Sequence, residues 1–132
     1  MHVRIQISAG ELIDRITILK LKARRLSGAG RRAVRRELAA ASAVCDRAIA
    51  ASPELRALTR DLAAVNLELW KVEEELRACE SAGRFGRRFV ALARTVYKAN
   101  DRRAALKRRV DQVVGGQVGE HKSYPLPELR GP

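Results

Sequence analysis

The chain has 132 residues, 46% apolar and only 4% aromatic, and its 27 Lys and Arg against 15 Asp and Glu leave a net charge of +12. That length suits one domain with a single core, and a composition rich in Ala, Leu, Val and Arg is that of a helical bundle or coiled coil, not a sheet protein. No apolar run approaches the ~20 residues of a membrane span and no signal pattern opens the chain, so a cytoplasmic protein is expected; the surplus charge either solvates the helices or invites a polyanion.

Val3, Ile5 and Ile7 alternate with Arg4 and Gln6, the pattern of a short strand or extended arm. Ser8-Ala9-Gly10-Glu11 then reads as a capping box, with the Ser8 hydroxyl taking the Glu11 N–H and Glu11 reaching back to Ser8. A first helix over about 9–26 follows, because Leu12, Ile16, Leu19, Ala23 and Leu26 step alternately by four and three, until Ser27-Gly28-Ala29-Gly30 stops it. Val34, Leu38, Ala41, Cys45 and Ala48 repeat those steps in a second helix, about 31–51. Its alanines bury little area, which makes it the weakest element expected.

Ser52-Pro53 is a second start signal, with Pro at the first helical position. Leu55, Leu58, Leu62, Val65, Leu69, Val72, Leu76 and Cys79 keep a heptad rhythm through a third helix, about 53–80, closed near Gly83. A fourth, about 84–114, carries the seam Phe85, Phe89, Leu92, Val96, Ala99, Leu106, Val110 and Val113, broken only by Arg103. Val90, Ala91, Tyr97, Ala104 and Ala105 add a second apolar strip, which predicts a helix packed against two neighbours.

Reversal near Gly83 sets Val72 opposite Leu92, Leu69 opposite Val96 and Val65 opposite Ala99, and brings Arg103 beside Leu62, predicting an Arg103–Asp61 ion pair. Charge agrees with the pairing: Glu54 to Glu80 holds seven acids and four bases, whereas Arg84 to Arg109 holds ten bases and one acid, Asp101. A similar reversal near Gly28 pairs the first two helices. The expectation is an all-α, up-down-up-down four-helix bundle of antiparallel hairpins over 1–114, with an irregular tail over 115–132.

Chemistry is sparse. No Gly-rich phosphate loop occurs, His2 and His121 lie at opposite ends, and Cys45 and Cys79 fall on apolar helical positions as buried hydrophobes, so no cofactor and no metal are expected. A candidate polar site remains between the last two helices: Arg94 and Lys98 as anion holders, Tyr97 four residues from Asp101, and Asn100 beside them, facing Asn66, Trp70 and Glu73. Lys122 and Tyr124 in the tail are candidates to close it. The same residues also read as interhelical ion pairs and hydrogen bonds that set register.

Four blocks recur in an order that resembles a family of small bacterial helical proteins classed as a domain of unknown function. They are Glu11-Leu12-Ile13-Asp14-Arg15-Ile16-Thr17-Ile18-Leu19; Asn66 with Leu69-Trp70; Leu92-Ala93-Arg94-Thr95-Val96-Tyr97 with Asn100-Asp101-Arg102 and Lys107; and Lys122-Ser123-Tyr124. Where that family's pattern has acids before the Lys-Ser-Tyr and near the turn between the last two helices, this chain has His121 and Arg87-Arg88. The resemblance implies no activity, but it links Arg94, Tyr97, Asn100, Asp101, Lys122 and Tyr124 as a group.

Three functions fit these observations. The unbroken heptads favour a non-enzymatic interaction or self-association module, with a protein partner or a second copy. A basic face of Arg102, Arg108, Arg109, Arg31, Arg32, Arg35 and Arg36 would suit sequence-independent binding of nucleic acid or another polyanion. A small helical enzyme on an anionic substrate is the third; Ile13-Asp14-Arg15-Ile16 loosely resembles the helical chorismate mutases, whose later motifs do not follow.

Overall fold

The structure is a computed structural model that describes residues 1–117. Four helices make it up: α1 (Ala9–Arg25), α2 (Gly28–Ala48), α3 (Pro53–Ala82) and α4 (Arg87–Gln117). The predicted tail from residue 118 onward, with Lys122 and Tyr124, lies outside the described residues.

The start and stop signals act locally as their chemistry dictates. Ser8 accepts the Glu11 N–H at 3.1 Å and Ser52 accepts the Leu55 N–H at 3.0 Å, each satisfying a helix-start donor that has no partner within the helix. Glu11 does not complete the capping box: its carboxylate turns to Lys107 on α4. Gly83 ends α3 at φ +65°, and the following Arg84 N–H returns to the Cys79 carbonyl at 2.9 Å, a left-handed closure open to glycine without a Cβ penalty. Ser52→Ala is expected to lower stability by about 1 kcal/mol through loss of its cap, read as a shift in the urea midpoint at unchanged slope.

Several boundaries and one element differ from the sequence expectation. Residues 1–8 form no strand; Val3 and Ile5 are exposed, and the described residues contain no second strand for them to bond with. The turn between α1 and α2 shrinks to Leu26-Ser27, because Gly28, at φ +58°, already opens α2. Phe85 sits in the connection before α4, its ring edge-on to Phe89 at 5.3 Å. At its far end α4 runs through Gly115 and Gly116 to Gln117.

Cross-chain contacts fix the helix directions. Asp14 meets Asn66, and farther along Arg25 meets Glu74, so α1 runs parallel to α3. Gly10 meets Asp111 and Asp14 meets Arg103, so α1 opposes α4. The core beneath these contacts joins Ile13, Leu55, Leu58, Leu62 and Val110, and a second cluster joins Val65, Leu69 and Ala99 with Val96 against them. The α3/α4 pairing of Val65 with Ala99 and Leu69 with Val96 therefore stands as the heptads require.

The bundle is not a symmetrical square. α1 packs against all three other helices, whereas α2 has no buried residue and leans substantially only on α1; Cys45 and Ile49 are its reach into the core. The alanine content explains this, since a face of methyl groups gives little area with which to draw α3 close. At 30 residues, α3 extends about 45 Å at ~1.5 Å per residue. α1, with 17 residues, covers only about 26 Å of that length, so the end of the hairpin near Gly83 is a two-helix projection.

Candidate functional site

Among the described residues the buried polar side chains, Asp14, Thr17 and Asn66, gather where α1, α3 and α4 meet. Asp14, its side chain 3% exposed, receives Arg103 Nε at 2.9 Å and Arg103 Nη2 at 2.6 Å on its two oxygens. Asn66 Nδ2 donates to Asp14 Oδ1 at 2.9 Å and to Thr17 Oγ1 at 2.8 Å, and Thr17 Oγ1 donates to the Asp14 carbonyl at 2.7 Å. Among the described residues no buried side-chain polar atom lacks a partner. The predicted Arg103–Asp61 pair is thereby corrected: Asp61 is exposed, and Arg103 turns from α3 to the buried carboxylate on α1. A fork-shaped guanidinium gains two charge-assisted bonds there, against a solvent-screened contact at the rim.

The electrostatics follow from those contacts. Burial pushes the Asp14 carboxyl up, but the hydrogen bonds from Arg103 and Asn66, with the charges of Arg103 and Lys107, together hold it below the ordinary carboxylate range. The Asp14 hydrogen bond raises Arg103 further above its already high value, against burial. Both groups are thus fixed as ions. A carboxylate so occupied is not poised to take a proton, and the cluster acts as a register lock between three helices.

Beside this lock Gly10 lets α1 lie directly on α4. Its N–H donates to Asp111 Oδ1 at 2.7 Å, and a Cβ there would run into the Lys107 carbonyl oxygen. A cleft of about 280 Å³ opens next to the cluster between α1 and α2, lined by Glu11, Asp14, Arg15, Lys22, Glu37 and Arg103 with Ile18 and Leu19. Its charges are largely matched within the chain, since Arg15 meets Glu37 at 3.0 Å and Glu11 meets Lys107.

The sequence-derived candidates fall elsewhere. Arg94, Tyr97, Lys98, Asn100 and Asp101 are all exposed on α4, and no hydrogen bond joins Tyr97 to Asp101 among the described residues. Asn66 leaves the expected group by facing α1. Trp70 is half-buried, its indole N–H meeting Glu74 and its ring lying under the Arg25 guanidinium at 5.8 Å, while Glu73 is exposed. Lys122 and Tyr124 lie outside the described residues. Of the basic face, Arg102 pairs with Glu68 at 2.6 Å and Arg109 with Glu54 at 3.4 Å. Arg31 caps the end of α1 by donating to the Ala23 carbonyl at 2.9 Å, while Arg32, Arg35, Arg36 and Arg108 are exposed.

The cations of α4 differ in whether an acid meets them. Arg88, Arg102, Arg103, Lys107 and Arg109 each meet an acid on α3 or α1. Arg87, Arg94, Lys98 and Arg108 meet none among the described residues, and the first three, with Val90, Ala91 and Thr95, line one shallow outward depression. Val90 is 46% and Tyr97 55% exposed. Val90, Ala91 and Tyr97 of the second apolar strip therefore cover no helix among the described residues: α4 does have two neighbours, but it meets α1 through Arg103, Lys107, Val110 and Asp111.

Comparison with known proteins decides the family. A family of unknown function, DUF6165, matches residues 3–130. The chain belongs to that family. Nothing among curated proteins matches it, and no solved structure does. The DUF6165 match includes the N-terminal arm and most of the segment beyond α4. No helix of the described residues is long and apolar enough to cross a membrane.

Proposed function

We propose that this DUF6165 protein is a non-enzymatic helical interaction module whose docking face is the outward side of α4. The observation that carries it is the contrast in cation pairing: bases turned toward α3 or α1 are matched by acids, while Arg87, Arg94 and Lys98 are unmatched around an exposed apolar strip. Unmatched cations around Val90, Ala91 and Tyr97 are what an acidic amphipathic helix would cover, its apolar residues on the strip and its carboxylates at the flanks. Two copies of α4 laid together by this side would bring Arg87, Arg94 and Lys98 of one against those of the other, so the partner is a different, acidic surface. The closed state of the Asp14 cluster supports an interaction reading over catalysis at that point.

The test is fluorescence anisotropy with two probes, an acidic amphipathic helical peptide and a mixed-sequence DNA duplex. The peptide is expected to bind, and Arg87→Glu/Arg94→Glu/Lys98→Glu to weaken it by about tenfold or more through like-charge repulsion. Val90→Ser/Tyr97→Ser should weaken it as well. Binding of the duplex alone, steeply reduced by salt and indifferent to Val90 and Tyr97, would replace this reading with the polyanion one; no binding to either probe would remove it.

A further inference from the structure

Because α2 leans on α1 and has no buried residue of its own, a groove of about 360 Å³ opens between α1, α2 and α3, floored by Ile13, Ile16 and Leu55 with Cys45 and Ile49 on the α2 wall. That volume is at the small end of what ligand sites use. The floor residues are 3–7% exposed, so the groove is narrow as well as apolar, and a slender chain suits it better than a ring system. None of its lining residues belongs to α4, which makes it independent of the docking face proposed above.

Charge is spread unevenly around this groove. Lys20, Arg56 and Arg60 line it with a single acid, Asp46 on α2. Lys20, Thr59 and Arg60 also line a second cleft that carries on along α1 and α3 beside Arg24, so Lys20 and Arg60 stand where the two meet. No ion pair engages any of these four bases, or Asp46, among the described residues. The Thr59 hydroxyl proton is spent on the Leu55 carbonyl at 2.8 Å, which leaves Lys20 and Arg60 as the donors at that junction.

We propose that the groove binds an anionic amphiphile, a linear aliphatic carboxylate whose head lies between Lys20 and Arg60 and whose chain covers Ile16, Ile13 and Leu55. The carboxylate gains charge-assisted hydrogen bonds from two helices while its chain leaves water for the floor. Length agrees: from Arg60 back to Ser52 at the groove's end is about 12 Å along α3, the reach of an extended chain of roughly ten carbons. Asp46 works against any anion, and it sets the head toward α1 and α3 and away from the α2 wall.

Cys45 reports occupancy in the unaltered chain. Alkylation by iodoacetamide is followed by mass spectrometry at Cys45 and, as an internal reference, at Cys79, with decanoate, decanol or decyltrimethylammonium added. Decanoate is expected to slow Cys45 several-fold and leave Cys79 unchanged, with decanol weaker and the cationic amphiphile without effect. Burial and Asp46 push the Cys45 thiol up while Lys20 lowers it, so variants are compared by the decanoate concentration that gives half protection and not by the bare rate. Lys20→Glu/Arg60→Glu should raise that concentration by about tenfold or more through like-charge repulsion, and Asp46→Asn should lower it, both at unchanged helix content. Decanoate that leaves Cys45 unprotected, or protects Cys79 equally, would overturn the proposal. So would equal protection by decyltrimethylammonium, or a half-protection concentration that neither charge variant moves.

Discussion

Replacing Asp14 by Ala is expected to lower the unfolding free energy by about 3–5 kcal/mol, because it leaves a half-buried guanidinium and the buried Asn66 amide without their carboxylate acceptor. Asp14 is the shared acceptor of Arg103 and Asn66 and sits 2% exposed. Asp14→Asn keeps the shape and loses the charge, for an expected loss of about 2 kcal/mol. The Asp14→Ala/Arg103→Ala double variant should lose less than the sum of the single changes, since the second truncation removes the orphaned charge created by the first. The sign of the pH dependence follows from the lowered Asp14 value. Its contribution is complete above the unfolded carboxylate pKa of about 4 and is lost as pH falls from there through the lower folded value. Denaturant melts of the native chain and Asp14→Asn should therefore converge in strong acid and separate above about pH 4.

Two glycines should respond to alanine with opposite signs. At Gly10 a methyl would overlap the Lys107 carbonyl oxygen and lie 3.0 Å from Asp111 Oδ1. Backbone cannot rotate aside as a side chain can, so α1 must lift off α4, weakening the Gly10 to Asp111 bond; a loss of about 2 kcal/mol is expected despite alanine's better helix propensity. At Gly30, inside α2, the nearest atom is Leu26 Cδ1 at 3.9 Å, and the substitution should stabilise by up to about 1 kcal/mol. Thermal melts of the two variants read this directly; a stabilised Gly10→Ala would mean that α1 and α4 are not in backbone contact.

How legible this was in the sequence depended on which physical signal each feature carries. The seams of α3 and α4, their register through Val65 and Ala99, and the caps at Ser8, Ser52 and Gly83 are short-range patterns, and each appears where its pattern placed it. The partner of Arg103 was not readable from the α3/α4 hairpin alone. A base interrupting an apolar seam demands a buried acid, but which helix supplies it is a tertiary fact, and Asp61 was merely the acid nearest in that hairpin. Asp14 carried a signal of its own: Gly10, Asp14 and Thr17 lie four and three apart, a small and polar stripe beside the apolar one on α1. Nor could periodicity say that the strip of Val90, Ala91 and Tyr97 would be left uncovered, because an apolar stripe is the same whether its neighbour is in the chain or in another molecule. The rim position of α2 was half visible, in its alanines.

The most direct measurement of the proposed interaction is site-specific photo-crosslinking in living cells, with a photoreactive residue placed in turn at Val90 and Tyr97 on α4 and at Arg32 and Arg36 on α2. Adducts at the two α4 positions, mapping by mass spectrometry to an acidic amphipathic segment of another protein and lost on Arg94→Glu, are the expected result. Adducts at the α2 positions with none at Val90 or Tyr97 would contradict it.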